Sequence, residues 1–186
     1  MPPPAAILSS SNRTRFSGGI AGWLAASVVA QVALALYFQA INWLPLGFWN
    51  YQPGAEPLAS QAAHGQLAAL DVGYVALFLV PVALYVVAAL RQWIWLMWIG
   101  LIGYTVWLVV QVVSWWIPYA FGASDKWMAT YQRVFSHSTQ LLPSVGRHLA
   151  PDGAHIVLNL LLAAVVVTTT TVLVRSMLKR WSEKHR

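Results

Sequence analysis

No cysteine occurs in the chain. Disulfides, thiolate metal sites, iron–sulfur clusters and cysteine nucleophiles are therefore excluded. Charge is also scarce: 9% of the 186 residues are Asp, Glu, Lys or Arg, against roughly 25% in a soluble domain. A surface so poor in charge cannot be solvated by water over most of its area, so lipid has to be the solvent. Five acidic residues face eleven Lys and Arg. In a water-soluble chain that excess would raise the question of nucleic acid. Here the basic residues flank apolar runs, where membrane topology and anionic lipid place them. The expected partner is the lipid bilayer, with no nucleic acid.

Apolar residues dominate instead, at 59% with a mean hydropathy of +0.60. About 20 apolar residues make one membrane-crossing helix, so four spans and one substantial loop use the length as a single membrane domain, 1–186. The fold class expected is all-α: an integral membrane four-helix bundle, with spans at about 18–43, 66–90, 93–116 and 154–177. Tails 1–17 and 178–186 and loops 44–65 and 117–153 complete it. The first run is interrupted by Ser27, Gln31, Gln39 and Asn42. It far exceeds the roughly 7–15 residues of a signal-peptide core, and reads as a retained helix. Pro81 is expected to kink the second helix, which neighbours in a bundle accommodate. Arg91 and Gln92 mark a tight turn, and Pro118 is expected to end the third helix.

Ser124 is a plausible N-cap in the long polar segment that follows. Trp127, Tyr131, Val134, Phe135 and Ser138 then recur at helical spacing, with Lys126, Gln132 and Arg133 between them. This pattern predicts a short interfacial amphipathic helix between helices three and four. Basic residues set the orientation. Arg13, Arg15, Arg91, Arg175, Lys179, Arg180, Lys184 and Arg186 fall on one side; Lys126, Arg133 and Arg147 fall on the other. The positive-inside rule then places both ends in the cytoplasm. Trp23, Trp93 and Trp95 near the inner ends and Trp43, Trp115 and Trp116 near the outer ends read as interfacial belts.

Polar residues inside spans are costly and tend to face the bundle or a wet cavity. Placed by depth, they gather in one outer layer: Gln39 and Asn42 from helix one, Gln66 and Asp71 from helix two, Gln111 and Ser114 from helix three, His155 and Asn159 from helix four. The inner half is nearly apolar, apart from Ser27, Gln31, Thr105 and Thr168 to Thr171. The functional reading is an outward-opening ligand-binding pocket. Asp71 is its acid, His155 a proton-active partner, and Gln111, Asn159, Gln39 and Asn42 contribute polar groups. The competing reading is a satisfied network near helix ends.

His64, His137, His148 and His155 fall on the outer side, where with Asp71 or Asp152 they could meet a divalent metal. No H-x-x-x-H or H-E-x-x-H spacing supports that, and paired axial histidines for haem are missing, so neither metal nor cofactor is expected. Neither a G-x-S-x-G motif nor a phosphate-cradling loop occurs. Gly18, Gly22, Ala26 and Ala30 form a small-residue ribbon. It suits packing within the bundle, against a membrane protein partner or in a homo-oligomer.

The outer segment reads W-W-I-P-Y-A-F-G at Trp115 to Gly122 and Y-Q-R-V-F at Tyr131 to Phe135. It continues with L-L-P at Leu141 to Pro143 and P-D-G-A-H at Pro151 to His155. This string resembles uncharacterised small bacterial four-span membrane proteins, a resemblance that implies a bacterial inner-membrane location and no activity. The leading expectation is a small, non-catalytic inner-membrane protein binding a partner protein, lipid or small ligand through its outer polar layer and loop. The alternatives are a small oligomeric transporter or channel, and a membrane enzyme acting on a lipid-soluble substrate through Asp71 and His155.

Overall fold

The computed structural model describes residues 18–43, 46–49, 79–135 and 138–185. Among them, regular structure is helical apart from two isolated antiparallel bridges, Gln140 with Asp152 and Val145 with His148. In chain order the helices are α1 (Gly18–Trp43), α2 (Leu79–Arg91), α3 (Ile94–Phe121), α4 (Asp125–Val134) and α5 (Gly153–Lys184), with a short 3₁₀ turn at Gly47–Trp49. Three of them, α1, α3 and α5, are long and apolar enough to cross a bilayer. The protein is thus an all-helical membrane protein. Asp71, Gln66 and His64, with the first half of the expected second span, lie outside the described residues. So do His137 and the tail 1–17.

The central helix is α5, which packs on both α1 and α3. Its buried positions Leu158, Leu162, Val165, Thr169 and Val172 step by four and three residues. That spacing keeps one seam facing its neighbours along the helix. On α1 the buried positions Ser27, Gln31 and Leu34 follow the same rhythm. Between hydrocarbon chains and leucine there is no hydrophobic driving force, so such seams hold by van der Waals packing and interhelical hydrogen bonds. Both are present: Leu34, Leu158, Leu162 and Val165 form one apolar cluster, and below it lies a buried polar chain. Tyr104 donates to Gln31 Oε1 (3.4 Å), Gln31 Nε2 donates to Ser27 Oγ (3.3 Å), and Ser27 Oγ meets Thr169 Oγ1 at 3.0 Å. Tyr85 presents its buried hydroxyl to the same Ser27–Thr169 pair without the geometry of a hydrogen bond. A double-mutant cycle of Ser27→Ala and Thr169→Val is expected to give a coupling of about 0.6 kcal/mol, the average for interhelical hydrogen bonds in a membrane bundle. Reversible unfolding in mixed micelles would measure it, and a coupling of zero would remove the bond from the account.

Small residues on α1 behave differently from a buried ribbon. Gly22 and Ala26 are exposed, and a Cβ on Gly22 would meet nothing within 4 Å. Ala30 alone of the three packs against the Leu34 cluster. Packing of the whole ribbon inside the bundle is therefore corrected: Gly22 and Ala26 face outward because the α1–α5 seam runs through Ser27, Gln31 and Leu34.

The α2–α3 turn is closed by a Schellman pattern. Trp93 N donates to Ala88 O (2.8 Å) and Gln92 N to Ala89 O (3.1 Å), with Gln92 at φ +55°. Those bonds satisfy the last carbonyls of α2. Arg180 from the far part of α5 donates to the Gln92 carbonyl and ties the turn down. Glycine is the residue that occupies this left-handed position without a Cβ penalty. Gln92→Gly should therefore raise stability by about 0.5–1 kcal/mol, read as a higher midpoint in the same unfolding titration.

Two helix ends depart from expectation. Pro118 does not end the third helix, which continues to Phe121 and stops at Gly122, a glycine at φ +91°. In a regular α-helix the proline ring would press on the carbonyl four residues back. Here Val112–Trp116 form a π turn, and Ile117 N bonds Val112 O, five residues back. The widened turn relieves that crowding. The last helix runs to Lys184 rather than stopping near Met177, since nothing after Met177 breaks it and Lys179 and Glu183 pair across one turn (3.8 Å). Its 32 residues extend about 48 Å, against about 30 Å of hydrocarbon.

Candidate functional site

The end of the bundle opposite Gln92 carries the polar layer, roofed by α4 and the loop that follows it. Helix α5 begins there. Asp152 is its N-cap, 3% exposed, and its Oδ1 accepts from His155 N (2.8 Å) and from His155 Nδ1 (2.7 Å). A carboxylate only accepts, so Nδ1 carries the hydrogen of this pair. One carboxylate thus satisfies an orphan helix N–H, complements the helix dipole and fixes an imidazole tautomer.

A relay braces the first turn from the other side. Trp49 Nε1 donates to Tyr37 Oη, and Tyr37 Oη donates to Ala154 O, both at 3.0 Å. The Trp49 ring lies so close over Gly153 that a Cβ there would stand 3.0 Å from it. Glycine leaves room for this contact, and Gly153→Ala is expected to push Trp49 aside by a few tenths of an ångström and weaken the relay, seen as a shift in tryptophan emission.

Above the helix N-terminus sits an aromatic cluster. Trp115, 4% exposed, stacks on His155 with ring centroids 3.9 Å apart. Trp127, Phe135 and Tyr131 meet Trp115 edge-on at 5.4, 4.9 and 6.5 Å. Helix α4 reaches this cluster because Ser124 caps its start, accepting from Trp127 N at 3.3 Å. Tyr131 donates to Ala150 O (2.9 Å). Burial pushes the Tyr131 phenol above the usual tyrosine range; the Asp152 charge adds to that and a hydrogen bond with Ser144 works against it. The folded state therefore holds this proton more tightly than the unfolded chain. The stabilisation is fully present below the unfolded value of about 10 and is lost as pH rises through the higher folded value.

One turn deeper the polar atoms lack partners. Asn159, 6% exposed, donates from Nδ2 to His155 O (2.6 Å), which identifies its Oδ1 as the free atom. That Oδ1 is buried with no hydrogen-bond partner among the described residues, and the same holds for Gln111 Oε1 and Gln39 Nε2. Gln111 is four residues before Trp115 on α3, and Asn159 is four residues after His155 on α5. The helices run in opposite directions and Trp115 touches His155, so both amides lie about one turn inward of that stack, with Gln111 at the start of the π turn. Below that level Trp107 and Phe38 pack edge to face (5.4 Å) against the Leu158–Leu162 cluster.

The sequence-predicted residues thus separate. Asn159 bonds His155 O within α5, and Gln111 stands on α3 one turn before Trp115, the ring that stacks on His155. Asn42 likewise donates to its own helix, Nδ2 to Phe38 O at 2.7 Å, but unlike Asn159 it is not left with a buried unpaired atom. Gln39 lies in the same turn of α1 as Tyr37, half-buried with its amide nitrogen unpaired. Asp71, expected as the acid of the site, is outside the described residues, and the carboxylate on His155 is that of Asp152. Sequence reasoning named Asp152 only as an acid that could meet a metal and missed its pairing with His155, although an acid three residues before a histidine at a helix start is the spacing of an N-cap. It also assigned Trp115 to an interfacial belt. Trp115 is instead buried, because the π turn and Gly122 fold α4 back over it. Among the described residues no group of three His, Cys, Asp or Glu side chains is arranged to hold a metal. The buried Tyr104–Gln31–Ser27–Thr169 chain is separated from this site by the apolar cluster of Leu34, Leu158 and Leu162.

No protein-family model matches the chain, and no match is found among curated proteins or solved structures.

Proposed function

We propose that the protein is a non-catalytic binding protein of the bacterial inner membrane that takes a small ligand between α3 and α5 at the level of Gln111 and Asn159. The architecture we propose is a single-domain four-helix bundle with both termini cytoplasmic and α4 lying in the interface. The apolar α2 and the tight α2–α3 turn support a fourth span. The gathering of Arg91, Arg175, Lys179, Arg180 and Lys184 at one end supports the orientation.

The observation that carries the binding reading is the burial of Asn159 Oδ1 and Gln111 Oε1 without hydrogen-bond partners. Leaving a buried acceptor unmatched costs about 1–3 kcal/mol. Two of them at one level are a standing cost that a bound molecule offsets. The test uses the full chain in nanodiscs. A small-molecule extract of the producing membranes should raise the melting temperature of the wild type and leave a Gln111→Leu/Asn159→Leu variant unmoved. Equal shifts in both, or none in either, would refute the site.

The Asp152–His155 pair favours one second reading, an acid–base enzyme, since a carboxylate that fixes a histidine tautomer is the arrangement of a general base. Turnover of a lipid-soluble substrate abolished by His155→Gln would establish it over binding alone.

A further inference from the structure

The end of the bundle opposite the polar layer carries positive charge that the described acids do not balance. Arg91, Arg175, Lys179, Arg180 and Lys184 meet there. Arg180 bonds the Gln92 carbonyl, and Val172 and Leu173 of the same helix pack against Tyr85, Ala88 and Ala89 of α2. Glu183 is the acid described at that end, and it pairs with Lys179 at 3.8 Å. Among the described residues, Arg91, Arg175, Arg180 and Lys184 form no ion pair. Cations gathered in this way repel one another and draw an anion to the surface they share.

One of these cations is held in position. The Arg175 guanidinium lies over the Trp23 ring, 5.5 Å from its centroid. A Cβ on Gly19 would stand 3.2 Å from Arg175 Nη1, so the missing side chain leaves the guanidinium its place beside the start of α1. Gly19 and Arg175 are both exposed. The guanidinium is thus packed on one side and open on the other. A cation already ordered by an aromatic ring loses little freedom on binding. Its planar fork of donors matches the oxygens of a phosphate.

Depth names the source of that phosphate. Arg175 follows Gly153, the first residue of α5, by 22 positions, about 33 Å at the helical rise. The hydrocarbon core is about 30 Å thick. A bilayer with one boundary at the start of α5 therefore has its other boundary beside Arg175, at the level of lipid headgroups. Trp93, Trp95 and Trp181 are exposed around the same end, where tryptophans sit at a membrane surface. Basic groups between helices at this depth suit acidic lipid heads.

We infer that Arg175, set between Trp23 and Gly19, binds the phosphate of an acidic phospholipid, with Arg91, Arg180 and Lys184 supplying the surrounding positive field. The site is at the far end of the bundle from Gln111 and Asn159 and stands or falls apart from the ligand proposed there.

The probe is phosphatidylglycerol, titrated into the full chain in detergent and counted as bound lipid by native mass spectrometry. Phosphatidylcholine and inorganic phosphate are the comparison ligands. Neutralising one Lys or Arg of a diffuse patch weakens acidic-lipid binding about fivefold, and losing a direct hydrogen bond to a charged group adds at least about tenfold. Lys184→Gln is therefore expected to weaken phosphatidylglycerol binding about fivefold and Arg175→Gln at least about fiftyfold. Arg175→Lys keeps the charge and loses the fork, so it reads the site even where glutamine disturbs the fold; about tenfold weakening is expected. Gly19→Leu keeps every charge and covers the open side of the guanidinium, and it too should weaken binding at least about tenfold. Equal losses in Arg175→Gln and Lys184→Gln, with Gly19→Leu and Arg175→Lys binding as the wild type does, would reduce the site to diffuse attraction and overturn it. Phosphatidylcholine binding as tightly as phosphatidylglycerol would overturn the acidic class. Inorganic phosphate displacing the lipid at comparable concentration would make this a site for a free anion and overturn the lipid assignment.

Discussion

Asp152→Ala is expected to destabilise the protein by about 2–4 kcal/mol. The loss of an N-cap side chain costs about 0.5–2 kcal/mol, and a hydrogen bond to a charged group contributes about 1.5–3 kcal/mol. Asp152 supplies both through a single oxygen, at 2.8 Å to the His155 amide and 2.7 Å to its ring. Asparagine is as good a cap as aspartate but has no charge for the imidazole, so Asp152→Asn should recover about half of the loss. A denaturant titration in mixed micelles would rank the three proteins. If alanine and wild type unfolded together, the buried pair would have no part in holding the start of α5.

Trp115→Ala should cost about 3–5 kcal/mol, the range for truncating a buried large aromatic, and its effect should be local. Trp115 is the ring against which Trp127, Tyr131, Phe135 and His155 all pack. Without it α4 keeps its Ser124 cap but loses the surface it rests on. Hydrogen exchange should accelerate from Ala123 to Ala150 while the Leu158–Val172 core of α5 stays protected. Uniform acceleration along the whole chain would show that the roof and the bundle unfold together.

The membrane class and the three long apolar helices were legible from composition and run length, because the cost of backbone polar groups in lipid leaves helices as the economical way to build such runs. The Ser124 cap was legible because a hydroxyl just before a helical repeat is a local signal. Asp152 was harder. Its partner is three residues away, but nothing in composition says that the carboxylate will be buried, since burial depends on Trp49, Tyr37 and the loop arriving from distant positions. The persistence of α3 past Pro118 was illegible for a similar reason. A proline reads as a stop, and the π turn that accommodates it has no residue signature of its own. His155, Asn159 and Gln111 could be placed at one depth by counting residues. Asn42 and Asn159 each donate to the carbonyl four residues back on their own helix, and of the two only Asn159 keeps a buried unpaired oxygen, a difference that depth along a helix does not reveal.

The Gln92 turn anchors one end of α3. It is pinned by two backbone bonds within the hairpin and by Arg180 from across the bundle. The other end is anchored by Trp115, buried against His155 and α4. Between the two anchors Ile99, Ile102, Val106 and Val109 are exposed. A rod clamped at both ends yields most in its middle, so lateral pressure from the bilayer is taken up along that apolar stretch, as in a beam built into two walls.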